Sequence, residues 1–294
     1  MSRLGRRRTM VAYLFMAPGL LVALLYIYWP MMAGAALSLF DYSVLEPPRW
    51  VGLQNYIEAL HDPRMWNALK NSLLYLLVVP AIQLASILLA LLVNQQLRGV
   101  QFFRTLYFLP VITPMVVAAL MWQWVFQSDG ILNYLLSAVG LTKRPILFLG
   151  DPRLALYSVM SVTFWTGFGY YMTIYLAGLQ GIPGDLYEAA EIDGAGPWAR
   201  FTRITLPLMM PYVLFCSIMS CFGALSVFTE VFAMTGGGPA QASETMGIYT
   251  YLSAFYSFRF GYAAALSVIL SFFILLVTLI NLRVNRSGLE GYQL

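Results

Sequence analysis

The stretch Ser72–Asn94, SLLYLLVVPAIQLASILLALLVN, contains no charged side chain. It is too long for a strand and lacks the polar face of a soluble surface helix, which is how a helix reads when its solvent is lipid. Five more long apolar runs lie along the chain, at about Met10–Phe40, Phe102–Gln127, Leu154–Ala177, Leu206–Ala233 and Tyr262–Leu282. Composition agrees. Of 294 residues, 60% are hydrophobic and 10% charged, against roughly 45–50% and about 25% in soluble proteins. Too few charges remain to clothe a soluble surface. A soluble enzyme, a DNA-binding domain and a disulfide scaffold are excluded at this step. At about 20 residues per spanning helix, the runs predict an all-α, polytopic membrane protein with six transmembrane helices, one transmembrane domain over residues 1–294.

The first run follows Arg6, Arg7 and Arg8, and Ala33-Gly34-Ala35 imitates a signal-peptidase site. A signal peptide's apolar region is only about 7–15 residues, so this run predicts an uncleaved anchor. Lysine and arginine set the orientation. With the N-terminus inside, one side collects Arg3, Arg6, Arg7, Arg8, Arg98, Arg104, Arg200, Arg203, Arg283 and Arg286. The other holds Arg49, Arg64, Lys70, Lys143, Arg144, Arg153 and Arg259. Both termini are expected to be cytoplasmic. The net charge of +4 is thus an orientation signal with no nucleic-acid partner implied. Cys216 and Cys221 point to different helix faces, and the single histidine, His61, has no ligand partners at metal spacing.

The external loops carry short helical patterns at Asn55–Leu60 and Ile131–Val139. They can lie on the membrane surface or cover the end of a bundle. A third loop opens with Thr235-Gly236-Gly237-Gly238-Pro239, which cannot continue a helix.

The cytoplasmic loop between the fourth and fifth runs, residues 181–207, is the most informative. Pro183 starts a helix, with Asp185 favouring its N-terminus. Leu186, Ala189, Ala190 and Asp193 recur at helical spacing, and Gly194 ends the helix through a left-handed turn. A second short helix, Pro197–Thr205, leads to Pro207. A small-residue helix-turn-helix of this kind suits a groove on another protein; a bare re-entry loop has the same local signals.

The run Glu188-Ala189-Ala190, Asp193-Gly194-Ala195, Phe201, Ile204, Leu206-Pro207 resembles the EAA loop of binding-protein-dependent ABC importer permeases, matched without a gap. Gly52-Leu53-Gln54-Asn55-Tyr56, the following Asp62-Pro63, Trp66, Ala68 and Asn71, and Thr235–Pro239 resemble the maltose, lactose and glycerol-phosphate branch. The leading arm and Gly181-Ile182-Pro183 resemble the maltose F-type half over its G-type partner. The extra N-terminal spans and large external domain of the enteric maltose subunit are not expected here, so inferences that rest on those parts do not transfer.

The resemblance implies a type I (MetI-like) permease core in a bacterial or archaeal cytoplasmic membrane. It implies a second, G-type permease, an ATPase dimer and an extracytoplasmic solute-binding protein as partners, besides membrane lipid. Glu188, Ala189, Ala190, Asp193, Gly194, Phe201, Leu206 and Pro207 would couple to the ATPase. No Gly-x-x-x-x-Gly-Lys-Ser/Thr loop occurs, so no cofactor is expected on this chain. ATP and magnesium would be used by the partner ATPase.

Charged groups are scarce in the runs. Glu230 and Arg104 lie near run ends and read as snorkelling. A path without a buried cation favours a neutral polyhydroxylated solute. The fourth run holds Thr163, Phe164, Trp165, Thr166, Gly167, Phe168, Gly169, Tyr170 and Tyr171, aromatic faces and hydroxyls suited to a sugar. Trp165 and Tyr170 are ~140° apart at 100° per residue, so one helix face holds only one squarely. The resemblance assigns Trp165, Gly167 and Tyr170 to sugar contact, with Thr163 and Thr166 beside them; Ser226 is the polar group kept where the family has asparagines. The expected function is the permease subunit of an ATP-driven sugar importer, half of its pore. Glycerol phosphate or a related polyol is the alternative solute. A six-span membrane enzyme, needing an intramembrane acid, base or metal cluster, is the distant one.

Overall fold

The computed structural model describes residues 3–44, 47–95 and 98–290, with side chains described over 11–44, 47–95 and 98–284. The counted arginines Arg3, Arg6, Arg7, Arg8 and Arg286 lie outside the described side chains. The chain divides into two compact units, Met1–Asp62 with Thr250–Ile269, and Pro63–Tyr249 with Leu270–Leu294.

In the first unit, α1 (Arg3–Ala23), a π-helical turn (Leu24–Tyr28) and α2 (Trp29–Leu37) run on without interruption. A two-residue strand β1 (Phe40–Asp41) then pairs antiparallel with β2 (Arg49–Trp50), Phe40 opposite Trp50. Helix α3 (Gln54–His61) is pinned to this turn by Asn55, whose buried amide donates to the carbonyls of Ser38 at 2.8 Å and Phe40 at 2.9 Å. Further along the chain, Arg259 grips Glu58 with two hydrogen bonds, at 2.6 and 2.5 Å, and the Tyr262 hydroxyl donates to Asp62 at 2.8 Å.

The second unit is helical: α4 (Pro63–Tyr75), α5 (Val78–Val93), α6 (Val100–Ile112), α7 (Met115–Val125), α8 (Ile131–Ala138), α9 (Ala155–Gln180), α10 (Gly184–Ile192), α11 (Pro197–Arg200), a π turn (Phe201–Thr205), α12 (Leu206–Leu225) and α13 (Thr229–Met234). Helices α14 (Met246–Phe255) and α15 (Phe260–Glu290) contribute to both units. Helix α9 is central. Ala90 and Val93 of α5, Met172, Tyr175, Leu176 and Leu179 of α9, and Met209 and Cys216 of α12 form a buried cluster. In lipid the hydrophobic effect does not drive helices together, so close packing and interhelical hydrogen bonds must. Both are present. The buried Ser86 hydroxyl on α5 is shared between the carbonyls of Ile82, at 2.7 Å, and Phe168 on α9, at 2.9 Å. At Gly169 a Cβ would sit 2.1 Å from the Tyr107 carbonyl oxygen on α6.

Four helical stretches among the described residues are long and apolar enough to cross a membrane: Val11–Leu37, Pro63–Val93, Pro197–Met234 and Phe260–Val284. The pair α6–α7 makes a fifth if taken as one span, but it bends by 97°. The predicted straight run Phe102–Gln127 is therefore two helices. Pro114 has no N–H to give, and it holds Thr113 extended at φ −74°, ψ 122°. Helix α9 has the length, 26 residues, but its threonines, tyrosines and glycines keep it out of the apolar set.

The fifth predicted run is also broken. Helix α12 stops at Leu225, and α13 restarts at Thr229. The short loop helices expected at Asn55–Leu60 and Ile131–Val139 correspond to α3 and α8.

Candidate functional site

Helices α5, α6, α7, α9, α12 and α13 enclose one side of a cavity of about 510 Å³. Helix α9 supplies Thr163, Thr166, Gly167, Tyr170 and Tyr171, a stripe at spacings of three and four. Helix α12 faces it with Ser220, Gly223 and Ala224, at the same spacing. Val78 and Ile82 come from α5, and the chain from Pro110 to Met115 crosses the wall at the α6–α7 bend. Glu230 of α13 completes the lining.

Thr163, Thr166, Gly167 and Tyr170 thus meet on the cavity, and Trp165 and Ser226 do not line it. Trp165 packs edge-on against Trp122 of α7, with ring centroids 5.7 Å apart. Ser226 caps the C-terminus of α12, where the chain leaves the helix. The helical geometry admits one of Trp165 and Tyr170, and the fold turns Tyr170 to the cavity. Gly167 is shared between two roles. It lines the cavity, yet a Cβ there would point at Ile82, 3.1 Å from its Cδ1.

Five polar side chains missing from the sequence-based site, Glu230, Tyr75, Gln83, Ser220 and Tyr175, are built into this region. Glu230 is buried, at 7% exposure, where snorkelling was expected. The break after Leu225 carries it into the wall. Thr163 Oγ1 donates to its Oε1 at 3.1 Å, and Tyr75 OH lies 2.6 Å from that same Thr163 oxygen. Beside them, Gln83 of α5 donates from Nε2 to Ser220 Oγ at 2.8 Å and to the Cys216 carbonyl at 3.1 Å, while the Tyr175 hydroxyl donates to its Oε1. A lone glutamine in an uncharged run was the visible signal, because an amide in lipid needs partners. Arg104, the other charged group near a run end, donates to the Val93 carbonyl at 2.6 and 3.2 Å and so satisfies the C-terminus of α5.

The residues of the 181–207 loop form a separate surface. Glu188, Ala189 and Ala190 lie on α10, and no residue of that helix is buried. Asp193 is its C-cap. Gly194 follows at φ 77°. The Ala195 N–H reaches the Ala190 carbonyl at 2.8 Å and the Gly194 N–H reaches Glu191 at 3.0 Å, the paired closure of a left-handed C-terminal turn. Asp185 sits in the first turn without a capping hydrogen bond, and Pro183 is the N-cap. The expected helix Pro197–Thr205 is one α-helical turn followed by the π turn holding Phe201, and Leu206-Pro207 open α12. Two polar contacts brace the unit: Glu191 to Arg200 at 3.1 Å and Tyr187 OH to Thr205 Oγ1 at 2.9 Å. Ile192 and Trp198 project at 87% and 76% exposure.

Residues 82–287 match the family described as binding-protein-dependent transport system inner membrane component. The chain is 37% identical over 285 residues to the probable ABC transporter permease protein YurN of Bacillus subtilis, spanning 95% of this chain and 97% of that one. It is 35% identical over 274 residues to the lactose transport system permease protein LacF of Rhizobium radiobacter, spanning 92% of each. The crystal structure of a bacterial ABC transporter involved in import of the acidic polysaccharide alginate shares the fold. Its TM-score is 0.83 at 24% identity, over 97% of this chain and 99% of that one.

Proposed function

The chain belongs to the binding-protein-dependent inner membrane transport components, and from that premise we propose that it is the sugar-carrying permease subunit of an ATP-driven importer. The observation that carries the sugar reading is the cavity. About 510 Å³ is lined by two tyrosines, hydroxyls of α9 and α12, and small residues that leave room for a pyranose. Sugar recognition needs apolar faces with a few fixed polar groups, and a volume of roughly 300–1,000 Å³ is usual for small-ligand sites. The lactose relative supports the solute class. The α10–α11 turn is the surface for an ATPase subunit, since this chain has no phosphate-binding loop and the nucleotide and magnesium must be held elsewhere. A second permease supplies the facing half of the path, and an external binding protein delivers the solute. Both termini are cytoplasmic in this reading, with α9 the sixth span, kept from lipid by its neighbours.

The test is uptake of labelled di- and trisaccharides by proteoliposomes holding the complete importer. Gly223→Trp fills the cavity from α12, where a Cβ would meet nothing within 4 Å. Uptake should fall to background while the complex still assembles. Undiminished uptake by an assembled Gly223→Trp complex would remove the cavity from the path.

A further inference from the structure

We propose that Glu230 makes this cavity selective by charge and by hydrogen-bond sense, admitting neutral sugars that donate hydroxyl protons and rejecting solutes whose carboxylate or phosphate faces the α9–α13 wall. The inference rests on the sugar-path reading above and asks which sugars.

The hydroxyl protons of Thr163, Thr166 and Ser220 are already spent inside the protein. Thr163 gives its hydroxyl proton to Glu230, at 3.1 Å. Thr166 gives its own to the Val162 carbonyl, at 3.1 Å. Ser220 donates to the Cys216 carbonyl at 2.7 Å while accepting from Gln83 at 2.8 Å. Each hydroxyl carries one proton and two lone pairs, so what Thr163 and Thr166 turn to the cavity is lone pairs, while Ser220 is occupied by Cys216, Gln83 and Tyr171. Glu230 adds a carboxylate. None of the lining residues is cationic. Tyr171 is itself hydrogen-bonded to Ser220, which leaves Tyr170 as the wall's main source of O–H donors. A sugar hydroxyl can donate to such a surface; a carboxylate or phosphate cannot, and it also meets like charge at Glu230.

The fold does not decide this. A neighbour of the same architecture serves an acidic polysaccharide, so the sign of the solute must be set by side chains. Glu230 is the one charged side chain on the wall. It reached that position through the α12–α13 break.

The experiment measures equilibrium binding to the purified complete importer, with the binding protein omitted so that it cannot pre-select. The probes are neutral di- and trisaccharides, uronate oligosaccharides of matched length, and glycerol phosphate. The wild type should bind at least one neutral sugar saturably, and the anionic probes at least about tenfold more weakly, the minimum expected of a like-charge contact. Glu230→Gln keeps the shape and restores a donor, and should narrow the gap by strengthening the anionic probes. Glu230→Asp, still charged, should keep the preference. If neither class binds saturably, the sugar reading itself falls. If both bind wild type alike, that reading stands and the charge filter is overturned; this arm needs no variant to fold. A preference unchanged in a folded Glu230→Gln complex would place the filter elsewhere and overturn it equally.

Discussion

Two glycines on α9 separate packing from function at the level of single atoms. At Gly169 the obstacle to a Cβ is the Tyr107 backbone carbonyl, 2.1 Å away, and backbone in a helix cannot step aside. At Gly167 the obstacle is the tip of Ile82, 3.1 Å away, which has rotamers to spare. Gly169→Ala should therefore force α6 off α9 and cost about 1–3 kcal/mol, as overpacking does. Gly167→Ala should cost less than about 1 kcal/mol. Thermal unfolding of the purified complex checks both, and equal losses would show that the α6–α9 approach relaxes freely. The sequence showed that two glycines lay among aromatics, and that Trp165 and Tyr170 could not share a face. It did not show which residue faced the cavity, because helical spacing fixes angles between side chains and leaves the absolute rotation to the neighbours. Glu230 was unreadable for a related reason. Its place near a run's end suggests the interface, and only the break at Ser226 turns it inward.

Among elements, the segment after α13 shows how a loop becomes rigid without regular structure. Gly236, Gly237, Ala240 and Gln241 all have positive φ, and α4 anchors the segment at Gln241, Glu244 and Met246. Asn67 and Asn71 donate to the Gln241 carbonyl at 2.9 and 3.2 Å, Asn71 also reaches the Glu244 carbonyl at 2.9 Å, and Ser72 Oγ receives the Met246 N–H at 2.9 Å. Arg64 clamps the buried Glu244 through Nε and Nη2, at 2.9 and 2.7 Å. Breaking one partner of such a pair leaves a buried charge and costs several kcal/mol, whereas replacing both with apolar residues is close to neutral. Arg64→Met should thus lower stability by about 3 kcal/mol, and Arg64→Met with Glu244→Met by distinctly less. A double variant as unstable as the single would show that the loop needs the ion pair itself. The sequence marked this loop as a helix stop through its glycines and proline. Its anchoring on residues more than 160 positions earlier left no local trace. The α6–α7 bend was half legible: Pro114 is visible, but a proline in a spanning helix more often kinks than turns the chain by 97°.

At the scale of the whole molecule, the chain carries surface that it cannot cover alone. In the stretch Val11–Leu37 nothing of the most apolar window is buried, as expected of a helix solvated by lipid. Ile192 and Trp198 stand bare on a different kind of surface, a polar turn with Glu188, Glu191, Asp193 and Arg200 around them. Lipid does not suit that mixture; a protein groove does. Geometry there depends on Gly194, whose φ of 77° is costly for a β-branched residue. Gly194→Val should open the turn, so that α11 no longer presents Trp198 in register with α10. The helices of the cavity are built from other contacts and should stand. The expected outcome is an importer whose permeases fold normally and still bind sugar, but whose ATP hydrolysis no longer rises when sugar and binding protein are added. This chain reconstituted by itself should give no uptake with any sugar, because half a path and no ATPase are present. The measurements are sugar-stimulated hydrolysis and uptake in proteoliposomes, compared for the complete importer, the Gly194→Val importer and this chain alone. Full stimulation in the Gly194→Val complex would take the ATPase contact away from α10–α11, and uptake by the chain alone would refute the need for a second permease.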